Sequence, residues 1–353
     1  MKHDFWRGKR VFLTGHTGFK GGWLALWLAD MGAEVHGYSL SPPTTPSFFD
    51  VCDVAGHIKA STIGDIRDAA TLTRAMEAAQ PDVIFHLAAQ PLVRYSYAAP
   101  VETYAVNVMG TVNVLEAARR MTSVKAIVNI TTDKCYENRE WVWPYREDEA
   151  LGGYDPYSSS KACAELVTSA YRRSFMNAAG IQLASVRAGN VIGGGDWADD
   201  RLIPDFLRAI DAAKPIIIRS PNAIRPWQHV LEPLSGYLLL AERLCQEQNT
   251  FAEGWNFGPD EGDARSVGWI VEYLCSQVEG ASWQCDGSPQ PHEAGLLRLD
   301  SSKAKARLGW LPRWRLGSAL ENTLIWHQAW RRGEEMASVS LQQIRNYQAA
   351  ADV

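Results

Sequence analysis

The segment TTDKCYE, residues 131–137, ends the apolar run AIVNI, so it reads as the tip of a buried strand. It carries a hydroxyl (Thr132), an acid (Asp133) and an ammonium (Lys134) side by side, where solvent or a reacting molecule meets them. Further on, Tyr157 and Lys161 in YSSSK stand four residues apart, on one face of a helix. A phenol titrates near ~10 in water, too high for a base at neutral pH. A neighbouring cation would favour the phenolate and lower that value. These are the parts of an acid–base site.

Gly15, Gly18 and Gly21 form GxxGxxG directly after the strand RVFLT and directly before the helical run WLALWLADMG. Glycines there let the backbone turn sharply and approach a pyrophosphate, while the helix N-terminus offers its free N–H groups. The context predicts a dinucleotide cradle; a purely structural turn is the other reading. Lys20, inside the loop, faces the phosphates or projects into water. Where an Asp or Glu usually takes the adenine ribose, the chain has Tyr38, Ser39 and Leu40. With no carboxylate, and no arginine for a 2′-phosphate, the expected cofactor is NAD, weakly held. Asp65, in GDIRD, lies under the adenine edge or caps the helix ahead of AATLTRAM.

Such residues need a scaffold. RVFLT, AEVHGYSL, PDVIFHLAA, VKAIVNITT and GIQLASVRAGNVIG read as strands, separated by helical stretches at 71–80, 107–121 and 157–175. That alternation predicts an α/β fold, a doubly wound parallel sheet. After about residue 190 it weakens into short elements with aromatic and basic residues, as in a smaller lobe over the first domain. With 46% hydrophobic and 21% charged residues, the 353-residue chain has an ordinary globular composition. Its net charge of −5, without like-charge blocks, predicts no nucleic-acid or anionic-membrane partner. Six cysteines without a CxxC pair or metal-ligand spacing predict reduced thiols and no metal site. No apolar run approaches the ~20 residues of a membrane span, and the N-terminus lacks a secretory h-region, so a cytoplasmic protein is expected. Fourteen tryptophans imply large packing surfaces or stacking platforms.

GHTGFKG, GDIRD, HLAAQ, the asparagine of YAVNVMGT and YSSSK together resemble the extended short-chain dehydrogenase/reductase family, and RPWQHV and RLGW extend the match over essentially the whole chain. The resemblance implies a Rossmann NAD domain, here residues 1–188, with a smaller mixed α/β nucleotide-sugar lobe at 189–353, interleaved with it. A homodimer or homotetramer is implied too. It makes Thr132, Tyr157 and Lys161 catalytic. It puts Gly15, His16, Gly18, Phe19, Lys20, Gly21, Ser39, Asp65, Ile66, Leu87, Ala88, Ala89 and Asn107, with Tyr157 and Lys161, at the cofactor.

Within that family, 4-epimerases place unreactive residues after the catalytic Ser or Thr, whereas nucleoside-diphosphohexose 4,6-dehydratases place an acid, commonly followed by Glu. Here the pair is Asp133–Lys134, and with YENREWVWPY, GYSLSPPTTPS and GNVIGGGDW it resembles the dehydratases that act on CDP-glucose. The resemblance implies oxidation at C4 by NAD, loss of the C5 proton and the 6-hydroxyl, and hydride return to C6, yielding a 4-keto-6-deoxy sugar for a bacterial surface polysaccharide. Tyr157 takes the 4-hydroxyl proton and Asp133 is the acid. Lys134 is the C5 base or orients the acid, and Glu137 is a substitute base or its partner. Asn190, Arg208, Arg225 and His292 are the expected substrate-binding residues; Arg208 has a solvated helix face as its other reading. Trp197 and Trp227 stack on the base or pack in the core. Nothing in the residue types separates cytosine from uracil or thymine. Other readings are a dTDP- or GDP-hexose dehydratase, a 4-epimerase, or a non-catalytic dinucleotide sensor. Asp133 speaks against the epimerase, and the intact Thr132, Tyr157 and Lys161 against the sensor.

Overall fold

The computed structural model describes residues 3–247, 250–286 and 295–350. Six strands come first: β1 (Arg10–Thr14), β2 (Glu34–Ser39), β3 (Ala60–Ile63), β4 (Val83–His86), β5 (Ala126–Ile130) and β6 (Gln182–Ala188). Six more follow: β7 (Asn190–Ile192), β8 (Ile216–Ile218), β9 (Ile224–His229), β10 (Gly254–Phe257), β11 (Ala264–Ser266) and β12 (Trp283–Cys285). A seven-stranded parallel sheet has the order β10-β6-β5-β4-β1-β2-β3. Because β2 and β3 leave β1 on one side and β4 on the other, a crevice opens between β1 and β4, the switch point where such sheets bind ligands.

Alternation along the strands splits the core. Val11 and Leu13 face one layer, with Trp23, Trp27, Leu234 and Leu238 of the helices Phe19–Asp30 and Leu231–Gln246. Phe12, Ile84 and Ile127 face the other, with Leu72, Met76 and Leu115. Helices thus cover both faces, and β4 and β5 are buried along their whole length. Trp6, Trp23, Trp27, Trp255 and Trp326 are fully buried, so much of the tryptophan content is core.

Two elements depart from the sequence reading. β3 was not expected: its ASTI has two polar residues in the middle and is exposed at every second position, as suits an edge strand. GIQLASVRAGNVIG is two strands, not one. At Gly189 the chain leaves the large sheet; a side chain there would meet the Pro226 ring at 2.4 Å and its carbonyl at 2.8 Å. β7 then joins β9 and β11 in a three-stranded sheet, and β8 pairs with β12. β10 returns late in the chain to close the large sheet beside β6. No helix among the described residues is long and apolar enough to cross a membrane.

Candidate active site

A cavity of about 740 Å³ runs from the end of β1, past the ends of β4, β5 and β6, to the loops around β8 and β9. Its first wall is the glycine loop. Gly15 has φ +81, and a side chain there would lie 2.7 Å from the Ala88 backbone nitrogen, so the turn seals against the loop after β4. Gly21 is packed tighter still, on the Gly15 carbonyl. Gly18 differs: its φ is −81, and a side chain there would touch only Gly15 O, at 3.4 Å. Neither backbone nor neighbours demand glycine at that position. What a side chain would take up is cavity space at the N-terminus of the helix Phe19–Asp30, the space a pyrophosphate needs. The cradle fits a dinucleotide.

Phe19, Lys20, Ser39, Asp65, Ile66, Leu87, Ala88 and Ala89 all line this cavity. The loop 87–89 is held from behind: the Thr14 hydroxyl accepts from the Leu87 and Ala88 nitrogens and meets His86 Nδ1 at 2.8 Å. His86 Nε2 meets Thr111, and burial pulls this imidazole down to about 3, so it stays neutral.

His16 and Asn107 do not line the cavity. His16 is buried on Ser61 and against Gly37. Asn107 ties the backbone of Gln90 to Ser160 on the Tyr157 helix and so positions the wall. Asp65 lies in the wall, but the helix cap is Asp68, whose carboxylate accepts from Ala70 and Thr71; Asp65 is held by Arg67 at 2.6 Å. Ser39 stands at the end of β2, bonded to Thr17. Lys20 projects into the cavity rather than into bulk water. Burial, reinforced by the charges of Arg201 and Lys161, pulls its amine down to about 7.

The second wall carries the acid–base groups. Asp155 caps the helix Pro156–Tyr171 by accepting from Ser158 N, and Pro156 opens it. Tyr157 N is fixed on the Ser96 hydroxyl at 3.1 Å. The expected lowering of the phenol by Lys161 is not what the structure gives. Burial pushes Tyr157 up to about 12, opposed by the Thr132 hydroxyl and the Arg201 guanidinium. Lys161 instead points under β5, donating to Ile130 O at 3.3 Å, and burial pulls it down to about 8.

Behind it lies a buried network. Glu165, one turn on, accepts from Thr131, from Ser185 at 2.6 Å and from Arg187 at 2.9 Å; Arg187 also donates to Tyr136 at 2.6 Å. Burial would raise the Glu165 carboxyl, but Arg187 and the hydroxyl donors outweigh it and hold it below its usual value.

At the tip of β5, Thr132 donates to Asp133 Oδ1 at 2.9 Å, while Oδ2, buried as well, accepts no hydrogen bond. Burial raises the Asp133 carboxyl above its usual range, with Lys134, Thr132 and Arg225 opposing. Thr132, Asp133, Lys134, Tyr157 and Lys161 all line the one cavity, together with Asn190 and Arg225. Glu137 is outside that wall, its carboxylate occupying the space a side chain at Gly152 would need. Arg208 also stays outside. Its guanidinium donates to the Trp197 and Ala198 carbonyls and pairs with Asp205. His292 lies outside the described residues. Trp197 packs edge-on against Trp326 and Trp330 in the core, while Trp227 borders the cavity with its indole on Arg265 O.

The sequence reading missed Arg94, Asp196, Asp200, Arg201 and Arg219, which all line the cavity. Asp196 and Arg201 pair at 2.9 Å. A usable signal was the charged run ADDR between the glycine loop GGGDW and the helix LIPDF. Glu165 was legible too, one helical turn beyond Lys161.

The family model for GDP-mannose 4,6 dehydratase matches residues 12–323. The chain belongs to that family. Within this dehydratase family it is similar to the CDP-glucose 4,6-dehydratase of Salmonella typhimurium, with 57% identity over 98% of each chain. It is more distantly similar to a dTDP-glucose 4,6-dehydratase of Xanthomonas campestris, 24% identical over 94% of this chain and 97% of that one. Two solved structures share its fold. One is the Bacillus anthracis dTDP-glucose 4,6-dehydratase in complex with NAD, TM-score 0.75, 20% identity, 93% of this chain and 99% of that one. The other is the Thermotoga maritima UDP-glucose 4-epimerase with UDP-glucose, TM-score 0.76, 22% identity, 92% and 99%.

Proposed function

We propose that this dehydratase converts CDP-glucose to CDP-4-keto-6-deoxyglucose and water, with NAD held by the glycine loop and the 87–89 wall. The observation that carries the reading is Asp133. It is a buried acid whose Oδ2 has no hydrogen bond and whose carboxyl is raised, in the same cavity as Thr132 and Tyr157. An epimerase has no use for such an acid. The choice of CDP rests on the Salmonella relative.

NAD supplies the acceptor for the C4 hydride and its return to C6. Tyr157 takes the 4-hydroxyl proton while Thr132 hydrogen-bonds the same oxygen; the positive charge of Arg201 favours the phenolate that burial opposes. Asp133, whose protonated form burial favours, is the acid for the departing 6-hydroxyl. Lys134 lines the cavity beside it and removes the C5 proton or orients the acid. Exchange of the C5 proton with deuterated solvent separates the two: a Lys134→Met variant loses it if Lys134 is the base. Asn190 and Arg225 hold the substrate from the β7 and β9 side.

The test incubates pure protein with CDP-, dTDP-, UDP- and GDP-glucose and follows the absorbance of a 4-keto sugar. CDP-glucose alone reacting is the expected result; no reaction with any of them ends the proposal. Added NAD stimulates turnover, because no carboxylate at the end of β2 grips the ribose.

We further assign a homodimer built on the helical face at 100–109 and 156–176. There Val101, Met109, Leu166 and Phe175 expose apolar side chains. Sedimentation of Leu166→Glu is expected to show a monomer. A cytoplasmic setting fits six cysteines that are all free, and a surface-polysaccharide precursor fits the 6-deoxy product.

A further inference from the structure

Two arginines from opposite walls of the cavity end on one carboxylate oxygen. Arg94 belongs to the short helix Val93–Ala98, which also carries Ser96 and, through it, holds Tyr157. Arg219 follows β8 on the small-lobe side. Both donate from Nη1 to Oδ1 of Asp200, at 3.2 and 2.8 Å. The two nitrogens are therefore no further apart than those bonds laid end to end, a span that one phosphate group bridges through two of its oxygens. Ala223 N donates to Ser220 O, a turn that brings Arg219 to the same end of the lobe as Arg225. Arg94, Asp200, Arg219, Ser220, Ala223 and Arg225 all line the cavity.

Asp200 sits in the strap 193–201 that joins β7 to the helix Leu202–Asp211. Within the strap, Asp196 is buried and pins Arg201. Asp200 is different. It is 41% exposed, and its partners Arg94 and Arg219 are 36% and 25% exposed. Ion pairs so open to water are weak, so an anion with more charge and more oxygens displaces the carboxylate. Its backbone has φ +59, a left-handed conformation that Asp and Asn tolerate better than other side chains.

We propose that Arg94 and Arg219 are further diphosphate-holding residues of the substrate site, and that Asp200 is the built-in anion that competes for them. The proposal rests on the reading above that the substrate is a nucleoside-diphosphate sugar. The substrate's diphosphate takes both guanidinium groups, and Asp200 recaptures them as the product leaves. The carboxylate thus lowers affinity for substrate and product alike and favours release.

The test is calorimetric binding of CDP and of cytidine to the whole protein, with the KM for CDP-glucose as a second readout. Asp200→Asn keeps the size and the backbone preference and removes the charge. It is expected to tighten CDP about threefold to tenfold and to lower KM, while cytidine binding stays unchanged. Arg219→Gln is expected to weaken CDP by about tenfold or more, and adding Asp200→Asn to it recovers less than Asp200→Asn gains alone. CDP binding that is unchanged or weaker in Asp200→Asn overturns the assignment, since a merely structural Asp200 gives that result. Should dTDP or GDP bind in place of CDP and tighten in Asp200→Asn, the arginine assignment stands and the cytosine reading falls. Should no nucleoside diphosphate bind the unmodified protein, both fall together.

Discussion

The protein holds two arginine–carboxylate sites of opposite construction, one behind the cavity wall and one lining the cavity. Glu165 and Arg187, behind Lys161, have side chains 3% and 5% exposed; Glu165 also accepts from Ser185, and Arg187 also donates to Tyr136. Arg94, Asp200 and Arg219, at the mouth, are each a quarter or more exposed. A buried pair cannot let go, because either partner left alone is an unpaired charge in a low dielectric. An open pair exchanges partners at little cost. The first arrangement suits a group that must hold Lys161 and the strand tip in one place through every turnover. The second suits a group that must receive a charged ligand and release it.

The largest effects belong to the fixed side. Tyr157→Phe removes the base while leaving the helix cap and Ser96 contact intact, and is expected to slow C4 oxidation by about 10²–10⁴. A rapid-mixing experiment that follows reduced nicotinamide checks it. Asp133→Asn should give the contrasting outcome: a transient reduced-nicotinamide signal appears while formation of the 4-keto-6-deoxy product stalls by a comparable factor. An unaltered dehydration rate in that variant would falsify the acid assignment. Arg187→Leu leaves the buried Glu165 with its hydroxyl donors but without its counter-charge, at a cost of about 3–5 kcal/mol, read as a lower urea midpoint. If Arg187→Leu were tolerated like a surface change, the contrast between the two sites would lose its energetic basis.

Much of the fixed side was legible in the sequence. Glycine spacing, strand–helix alternation and YSSSK depend on local geometry, and short-range rules read local geometry well. The lining residues Thr132, Asp133, Tyr157 and Lys161 followed from position at a strand tip or on a helix face. The electrostatics did not follow. Burial, not the Lys161 ammonium, dominates Tyr157, and burial is a property of the whole packed layer. The mouth was the least legible. Arg94 and Arg219 are more than a hundred residues apart and meet only through Asp200, so no window of sequence contains the site. Arg208, which looked able to reach a nucleotide, is tied back to Trp197 and Ala198 by folding of its own neighbourhood. Gly189, which splits one expected strand into two, acts through Pro226, distant in sequence.

Smaller effects sharpen the comparison on the cofactor wall. Gly15→Ala meets both a left-handed backbone and the Ala88 nitrogen, so it is expected to lower the melting temperature as well as cofactor affinity. Gly18→Ala meets neither. It should leave the melting curve in place and weaken NAD alone, measured by titration of protein fluorescence. Equal loss of stability in the two variants would mean that the cradle is only a turn.

The smallest expected effect is a slope. His86 and His229 are buried, with burial pulling both imidazoles down to about 3 from an ordinary 6.5. In the unfolded chain each takes up a proton as the pH falls through 6.5, whereas the folded protein takes none until near 3. Between those limits the unfolded state binds more protons, so stability falls as pH falls, by up to about 1.4 kcal/mol per pH unit for each histidine. His86→Gln is expected to be less stable at pH 7, having lost the bonds to Thr14 and Thr111, yet to show a shallower decline between pH 6 and pH 5 by one proton's worth. Urea unfolding at the two pH values measures it. A decline for His86→Gln parallel to that of the unmodified protein would show instead that this imidazole is already protonated in the folded chain, and the wall behind Leu87 and Ala88 would then hold a charge rather than a neutral ring.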